Sequence, residues 1–538
     1  MKLLSRFNLV VVCCLLTIFM ILSPGVAIAQ TNTKPIPTKP QPTKTQPTPI
    51  KQPVKETAQQ NSIQPYLDGV IKNLTEFNLD NGMKFLVLER HQAPVVSFLT
   101  YADVGGVDEP DGKTGVAHFL EHLAFKGTSR IGTKDYQVEK PLLVKMEQLD
   151  KQVIAAKAAG KTAEAEKIKA EFKKTEKEAV KLVKQNELGQ IVEQAGGVGL
   201  NANTSFEATR YFYSFPSNKL ELWMSLESER FLDPIIRREF FKERDVIMEE
   251  RRLRVENSPI GLMIEKFIDT AYKVHPYRRP VIGYDKDIRN LSPEDVQKFF
   301  DAYYVPSNIT IAVVGDVNPA QVKQLAQTYF GRYPAKTKPQ AKITPEPKQT
   351  QTREITLTLK SQPWYLEGYH RPAITHPDNA VYEIISRLLS DGRTSRLYKN
   401  LVEDQQVALS AQGFTGFPGD KYPNLILFYA LSAPGRNIDE VALALRKEID
   451  RLKTEAVKPT ELERVKTQAR ADLLRGLDSN MGMAQQLLEY QVKTGSWRNL
   501  FKQLDQIEAV KTGDIQRVAQ GAFTAENRTI GKLLSKES

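Results

Sequence analysis

Cysteine is almost missing from this chain. Of 538 residues two are cysteine, Cys13 and Cys14, and both lie inside an apolar run near the start. If that run is a leader that is removed, the remainder has no thiol, which excludes disulfides and thiolate metal sites. A metal would then have to be held by His, Asp and Glu, a donor set that favours zinc over metals wanting softer ligands. Histidine is scarce too, with six in the chain. No zinc-finger pattern and no Gly-rich phosphate loop is present. The net charge of +11 owes five lysines to one Pro/Thr/Lys/Gln-rich stretch between Thr31 and Gln60. It therefore does not argue for a nucleic-acid partner.

The apolar run extends from Leu9 to Leu22, broken only by Thr17, and follows Lys2 and Arg6. Pro24 and Gly25 end it, and Ala27-Ile28-Ala29 places small residues where a signal peptidase reads. It is short of the roughly 20 residues a bilayer span needs. Residues 1–29 read as a secretory signal cleaved after Ala29, an uncleaved anchor being the alternative. Neither cysteine stands at the end of the run, which argues against a lipoprotein. Residues 30–61 are too poor in apolar side chains to order themselves and read as an extended spacer.

Against this scarcity of histidine, "HFLEHLAFKGT" (His118–Thr128) places two four residues apart. On a helix His118 and His122 share a face, one turn apart, with Glu121 beside them. Two imidazoles at that spacing can share a metal ion while a carboxylate manages the proton of a metal-bound water. A buried amphipathic helix with two hydrogen-bonded histidines would carry the same spacing. The order H-x-x-E-H, the reverse of H-E-x-x-H, favours a metallopeptidase.

A chain of this length needs two or more cores. Strand-like and helix-like segments alternate from about Tyr66, with strands at "KFLVLER", "VVSFLTYADV" and "NITIAVVGDV" and a helix over "GVAHFLEHLAFKG" closed by Gly127. A second series follows the Pro/Lys-rich break between Pro334 and Gln351: "EITLTLK", "WYLEGYHRPA" and "HPDNAVYEIISRLLSDGRTSRLY". Aligning Gly127 with Gly392 puts Glu383 and Arg387 where the histidines stand, which predicts a duplication whose second copy has no metal ligands. Residues 140–188 differ in kind. Leu142, Met146, Leu149, Val153 and Ala156, then Ala165, Ile168, Phe172, Thr175, Ala179 and Leu182, step by threes and fours. They predict an antiparallel coiled-coil hairpin, either a docking arm or a tolerated surface insertion.

With these features in view, "GGVGLNANTSFEATRYFYSFP", "ERDVIMEERRLRVENSP" and "HPYRRPVIG" complete a pattern. From about Ile63 to the C-terminus, outside the hairpin, the chain resembles the M16 family of pitrilysin, insulin-degrading enzyme and mitochondrial processing peptidase. The resemblance implies an α+β fold of two homologous αβ domains of the LuxS/metallohydrolase type, residues 62–340 binding zinc and 341–538 metal-free. It implies one Zn2+ per chain on His118, His122 and Glu250, with Glu243, two turns before Glu250, orienting a ligand. Glu249 points about 100° away from that face. It also implies Glu121 as general base on a zinc-bound water, and Asn201 and Ala202 as backbone contacts for an extended peptide.

The implied function is that of an exported, periplasmic or extracellular, zinc endopeptidase acting on unfolded peptides. A membrane enters only through an uncleaved signal. The alternative is a non-catalytic envelope scaffold or a subunit of a heteromeric complex. Active family members pair an arginine with a tyrosine seven residues on, and here Ile426 and Ala433 align with those places. A homologous metal-free subunit, or a second copy of the chain, is the implied partner.

Overall fold

The computed structural model describes residues 64–340 and 343–536, so the expected signal and spacer lie outside it. Residues up to Leu74 and residues from Thr75 form separate compact units. The described part of the first is chiefly a helix, Gln64–Lys72. The second unit contains two sheets and two apolar cores, one spanning Leu79 to Tyr333 and the other Tyr365 to Ile530. No helix among the described residues is long and apolar enough to cross a membrane.

The strands are β1 (Leu74–Asn78), β2 (Lys84–Glu89), β3 (Val95–Ala102), β4 (Val198–Thr204), β5 (Thr209–Pro216) and β6 (Ile309–Gly315) in the first half. The second half holds β7 (Arg353–Leu359), β8 (Trp364–Arg371), β9 (Ala408–Phe417), β10 (Asn424–Ser432) and β11 (Arg528–Ser535). Their orders are β1-β2-β6-β3-β5-β4 and β7-β11-β8-β10-β9. Apart from the extra edge strand β1, the second order repeats the first. β2 runs parallel to β6, as β7 does to β11, and β6–β3, β3–β5 and β5–β4 are antiparallel like their counterparts β11–β8, β8–β10 and β10–β9. The duplication read from one pair of segments thus extends through the whole topology.

The inner strands β3, β6, β8 and β10 are buried along almost their whole length, as expected where both faces of a sheet are covered. Helices α1 (Val116–Leu123), α2 (Tyr136–Ala158), α3 (Thr162–Val180), α4 (Phe240–Arg251) and α5 (Pro259–Ala271) belong to the first half, and α6 (Asn379–Ser390) and α7 (Asn480–Thr494) to the second. Two of them cross over. α7 packs on β3 and β6 of the first sheet, and α5 packs on β7 and β11 of the second. Phe267 of α5 needs glycine beneath it: a Cβ on Gly368 or Gly531 would come within 2.9 or 3.0 Å of its ring. Each half therefore lends a helix to the other's sheet.

Helix α1 is shorter than the sequence suggests, ending at Leu123 well before Gly127. Gly127 serves the following loop instead, at φ +91°, where a Cβ would stand 2.2 Å from the Ile131 carbonyl oxygen.

The expected hairpin is present as α2 and α3, joined at Ala159-Gly160-Lys161, and every seam position named above is buried or half-buried. It does not stand apart from the body. Leu143, Met146 and Ala179 belong to the first core, and Phe172 meets Phe241 edge-on at 4.9 Å. Glu139, on the first turn of α2, pairs with Arg238 at 2.7 Å, both side chains fully buried. The same guanidinium donates to the carbonyls of Lys126, Thr128 and Ile131, closing the loop after α1. The base of the insertion is therefore structural, and only its tip is free. Replacing residues 152–168 by a short Gly/Ser turn should leave the melting temperature within a few degrees of its original value. Glu139→Gln should cost about 3–5 kcal/mol in denaturant unfolding, since it strands a buried guanidinium.

Candidate active site

Helix α1 starts at Gly115, held in the left-handed region at φ +88°. The buried Glu109 side chain accepts from the Gly115 and Ala117 amides at 2.9 and 3.0 Å and so caps the helix start, although burial pushes its carboxyl up to about 8. Phe119 then stacks on Phe240 of α4, centroids 4.6 Å apart and rings 14° from parallel. That contact sets the two helices side by side.

It also brings together the residues singled out from sequence. Ligand atoms of His118, His122 and Glu250 all lie within 4.8 Å of one another. Nε2 of His118 is 3.7 Å from one Glu250 oxygen, and Nε2 of His122 is 3.5 Å from the other. A tetrahedral ion with bonds of about 2.0–2.2 Å holds its ligands roughly 3.3–3.6 Å apart, close to these spacings. Nδ1 of His122 meets a Glu243 oxygen at 3.2 Å, which turns Nε2 toward the centre. Nδ1 of His118 is buried with no hydrogen-bond partner among the described residues. Two imidazoles, one carboxylate and a side left open suit zinc. Glu249 is exposed and clasps Arg252.

The electrostatics suit a cation as well. Burial and the neighbouring His122 push His118 down to about 4, keeping a neutral lone pair. Burial opposes charge on His122 also, but the Glu243 and Glu250 carboxylates outweigh it and lift this ring to about 9. Glu250 falls to about 2: burial raises it, and the His122 hydrogen bond with the charge of Arg254 helps to more than reverse that. Burial raises Glu121, opposed by a hydrogen bond from the Thr204 hydroxyl.

Thr204 ends β4, the edge strand of the first sheet, which also carries Asn201 and Ala202. Alternation puts Ala202 and Thr204 on the helix side of the strand, with Asn201 and Asn203 on the far side. Thr204, Lys126 and Arg254 were not singled out from sequence. Lys126 binds Glu243 at 2.6 Å and Arg254 binds Glu250 at 2.7 Å. Only the position of Thr204, two residues beyond Ala202 on the same face, carried a readable signal.

Comparison with known proteins fits this geometry. The family model for Insulinase (Peptidase family M16) matches residues 84–139 and 169–285, and that for the Peptidase M16 inactive domain matches 290–469. Zinc protease PqqE of Helicobacter pylori is 31% identical over 456 residues, spanning 83% of this chain and 89% of that protein. The chain belongs to the M16 peptidase family. The unmatched gap, residues 140–168, falls within the α2–α3 hairpin. A protease structure from Helicobacter pylori superimposes with a TM-score of 0.72 at 28% identity, covering 86% of this chain and 99% of that one. Mitochondrial-processing peptidase subunit beta of Lentinula edodes is 22% identical over 462 residues, 82% of this chain and 86% of that protein. The first half of the periplasmic protease PqqL from Escherichia coli shares the fold, with a TM-score of 0.64 at 17% identity over 86% of this chain and 92% of that one.

In the second half Glu383 and Arg387 stand on α6 and pair with each other at 3.4 Å. Arg387 also reaches Asp391 and Asp472 at 3.0 and 2.5 Å, an ion-pair cluster where the first half gathers His118 and His122. Metal analysis of the purified chain and its variants checks the ligand set. His118→Ala, His122→Ala and Glu250→Gln should each lower bound zinc after dialysis, Glu243→Gln should weaken affinity by roughly 10–100-fold, and Glu249→Gln should leave it unchanged.

Proposed function

We propose that this chain is a zinc-dependent endopeptidase that hydrolyses extended segments of unfolded polypeptide. The observation that carries the reading is the place of Glu121, beside the His118–His122–Glu250 cluster and hydrogen-bonded to the edge strand β4. His118, His122 and Glu250 would hold a zinc ion, which would supply Lewis acidity to the site. Glu121 takes the proton from the attacking water and returns it to the leaving amine. Glu243 fixes the His122 ring by its hydrogen bond to Nδ1, and Lys126 holds Glu243 in turn. An extended substrate adds to the free edge of β4 by backbone pairing at Asn201 and Ala202, which gives affinity with little sequence selectivity. The zinc-protease names of PqqE and of YmxG of Bacillus subtilis, the latter 20% identical over 84% of this chain, support the metal and the chemistry.

The second half bears on assembly. Ile426 lies on β10, fully buried in the second core, and Ala433 follows the end of that strand. Neither can offer an arginine or a tyrosine to a substrate, and Tyr429 between them donates to Gln412 at 2.8 Å. A second copy of the chain would lack the same pair, so we place the chain with a homologous metal-free subunit. The likeness to a subunit of mitochondrial processing peptidase supports a partner. An exported location, periplasmic or extracellular, rests on the signal-like residues 1–29 and on the fold shared with periplasmic PqqL. In this reading the hairpin is a coiled-coil arm whose exposed tip is available for docking.

The test is to purify the mature chain, load it with zinc and assay an unstructured peptide alongside light scattering. Turnover only after a homologous metal-free subunit is added is the expected result, and turnover by a homodimer would show that the arginine–tyrosine pair lies elsewhere in the chain. Robust turnover by a monodisperse monomer would overturn the assembly reading. Glu121→Gln should keep its zinc and fold yet lose nearly all hydrolysis; a rate close to that of the unaltered chain would remove Glu121 from its role.

A further inference from the structure

The edge strand β4 is held from both faces, and the second hold comes from the other half of the molecule. Thr204 faces α1 and reaches Glu121. Its neighbour Asn203 faces away and accepts from Nη1 of Arg210 on β5 at 3.1 Å. Arg210 is buried against the face of Tyr101, its guanidinium 4.9 Å from the ring centre. Its other terminal nitrogen binds Glu489 of α7, a helix of the second half. One turn on, Lys493 binds Glu489 at 2.8 Å, Glu207 at 3.3 Å and Asp420 at 2.5 Å. Glu207 sits in the turn joining β4 to β5 and is buried. It accepts from the Lys421 backbone amide at 2.8 Å and from the Tyr277 hydroxyl.

Both ends of this hairpin's contact with the second half are therefore ionic, buried and specific in geometry. An apolar contact of similar volume would stabilise the junction at least as well, without fixing one alignment. Burial works against a charge on Lys493, yet Glu489, Asp420 and Glu207 together hold it protonated. The proposed peptidase activity itself makes no use of these groups.

Resting on the endopeptidase reading above, we infer that Glu489 and Lys493 are positioning residues for the substrate strand. Through Arg210 and Glu207 they hold the β4–β5 hairpin, and so set where a peptide paired to β4 lies relative to Glu121. Adjacent residues of one strand serve the two faces, so a displacement of Asn203 carries Thr204 with it. The metal-free half thus acts on the reaction without touching metal or substrate.

The experiment compares the zinc-loaded full chain with Glu489→Gln, Asn203→Ala and the double variant. Asn203 is exposed, so Asn203→Ala keeps the proposal testable if Glu489→Gln fails to fold. Amide hydrogen exchange over residues 198–210 should quicken about tenfold in each single variant, with exchange in α1 and the zinc content unchanged. KM for an unstructured peptide should rise about tenfold while kcat falls less, and the double variant should be no worse than Glu489→Gln alone. Unchanged exchange over residues 201–204, or additive effects in the double variant, would overturn the inference. If the unaltered chain binds zinc but hydrolyses no peptide even with a homologous metal-free subunit present, the endopeptidase reading fails, and the exchange comparison alone decides whether α7 braces β4.

Discussion

The stack of Phe119 on Phe240 is the contact on which the rest turns. His118 and His122 are neighbours by virtue of helical pitch alone, but Glu250 belongs to a helix far along the chain. Only side-by-side seating of α1 and α4 brings a carboxylate to both imidazoles. That seating is reinforced outward. Phe240 meets Phe241 edge-on at 5.3 Å, and Phe241 meets Phe172 of the hairpin. Aromatic pairs of this kind add about 0.5–1.5 kcal/mol each beyond their buried area, and they fix ring geometry as well. The insertion is thereby coupled to the helix carrying Glu250 rather than appended to it.

The two halves answer a similar demand differently. Both build the same sheet, place a helix in the same position and cover the sheet with a helix borrowed from the other. In the first half, that helix carries two imidazoles and a carboxylate, His118, His122 and Glu121. In the second, Arg387 stands where an imidazole would and pairs with Glu383, Asp391 and Asp472, an ion-pair cluster with no histidine in it. A duplicated fold thus has one reactive copy and one that supports it. The exchanged helices make the support mechanical. α7 closes the back of the first sheet, and the charges it presents run through Arg210 to the strand whose other face meets Glu121.

Much of this was legible in the chain. Strand positions followed from short apolar runs, and the seams of the hairpin from steps of three and four, because both are local periodicities that packing then rewards. The H-x-x-E-H spacing displayed His118, Glu121 and His122 on one turn. Glu243 and Glu250 came from a seven-residue interval whose pairing with that turn needed the family resemblance. The end of α1 was misplaced because Gly127 reads as a helix stop, whereas its conformation serves the loop toward Ile131. Heptads show which residues of the insertion face each other, not what lies beneath their base.

The sequence by itself determined which residues could bind a metal and that they would line one face of a helix, because helical geometry acts over a few residues. It also determined that the fold would be repeated. Only the tertiary structure decided that Glu139 reaches Arg238, that α5 and α7 exchange sheets, and that Asn203, Arg210, Glu489 and Lys493 form one line. Glu139 and Arg238, like Arg210 and Glu489, lie far apart in the chain, and no periodicity in a chain encodes which charge will meet which across an interface. They are chosen by shape and by the need to pair every buried charge, and those conditions exist only once the halves have closed on each other.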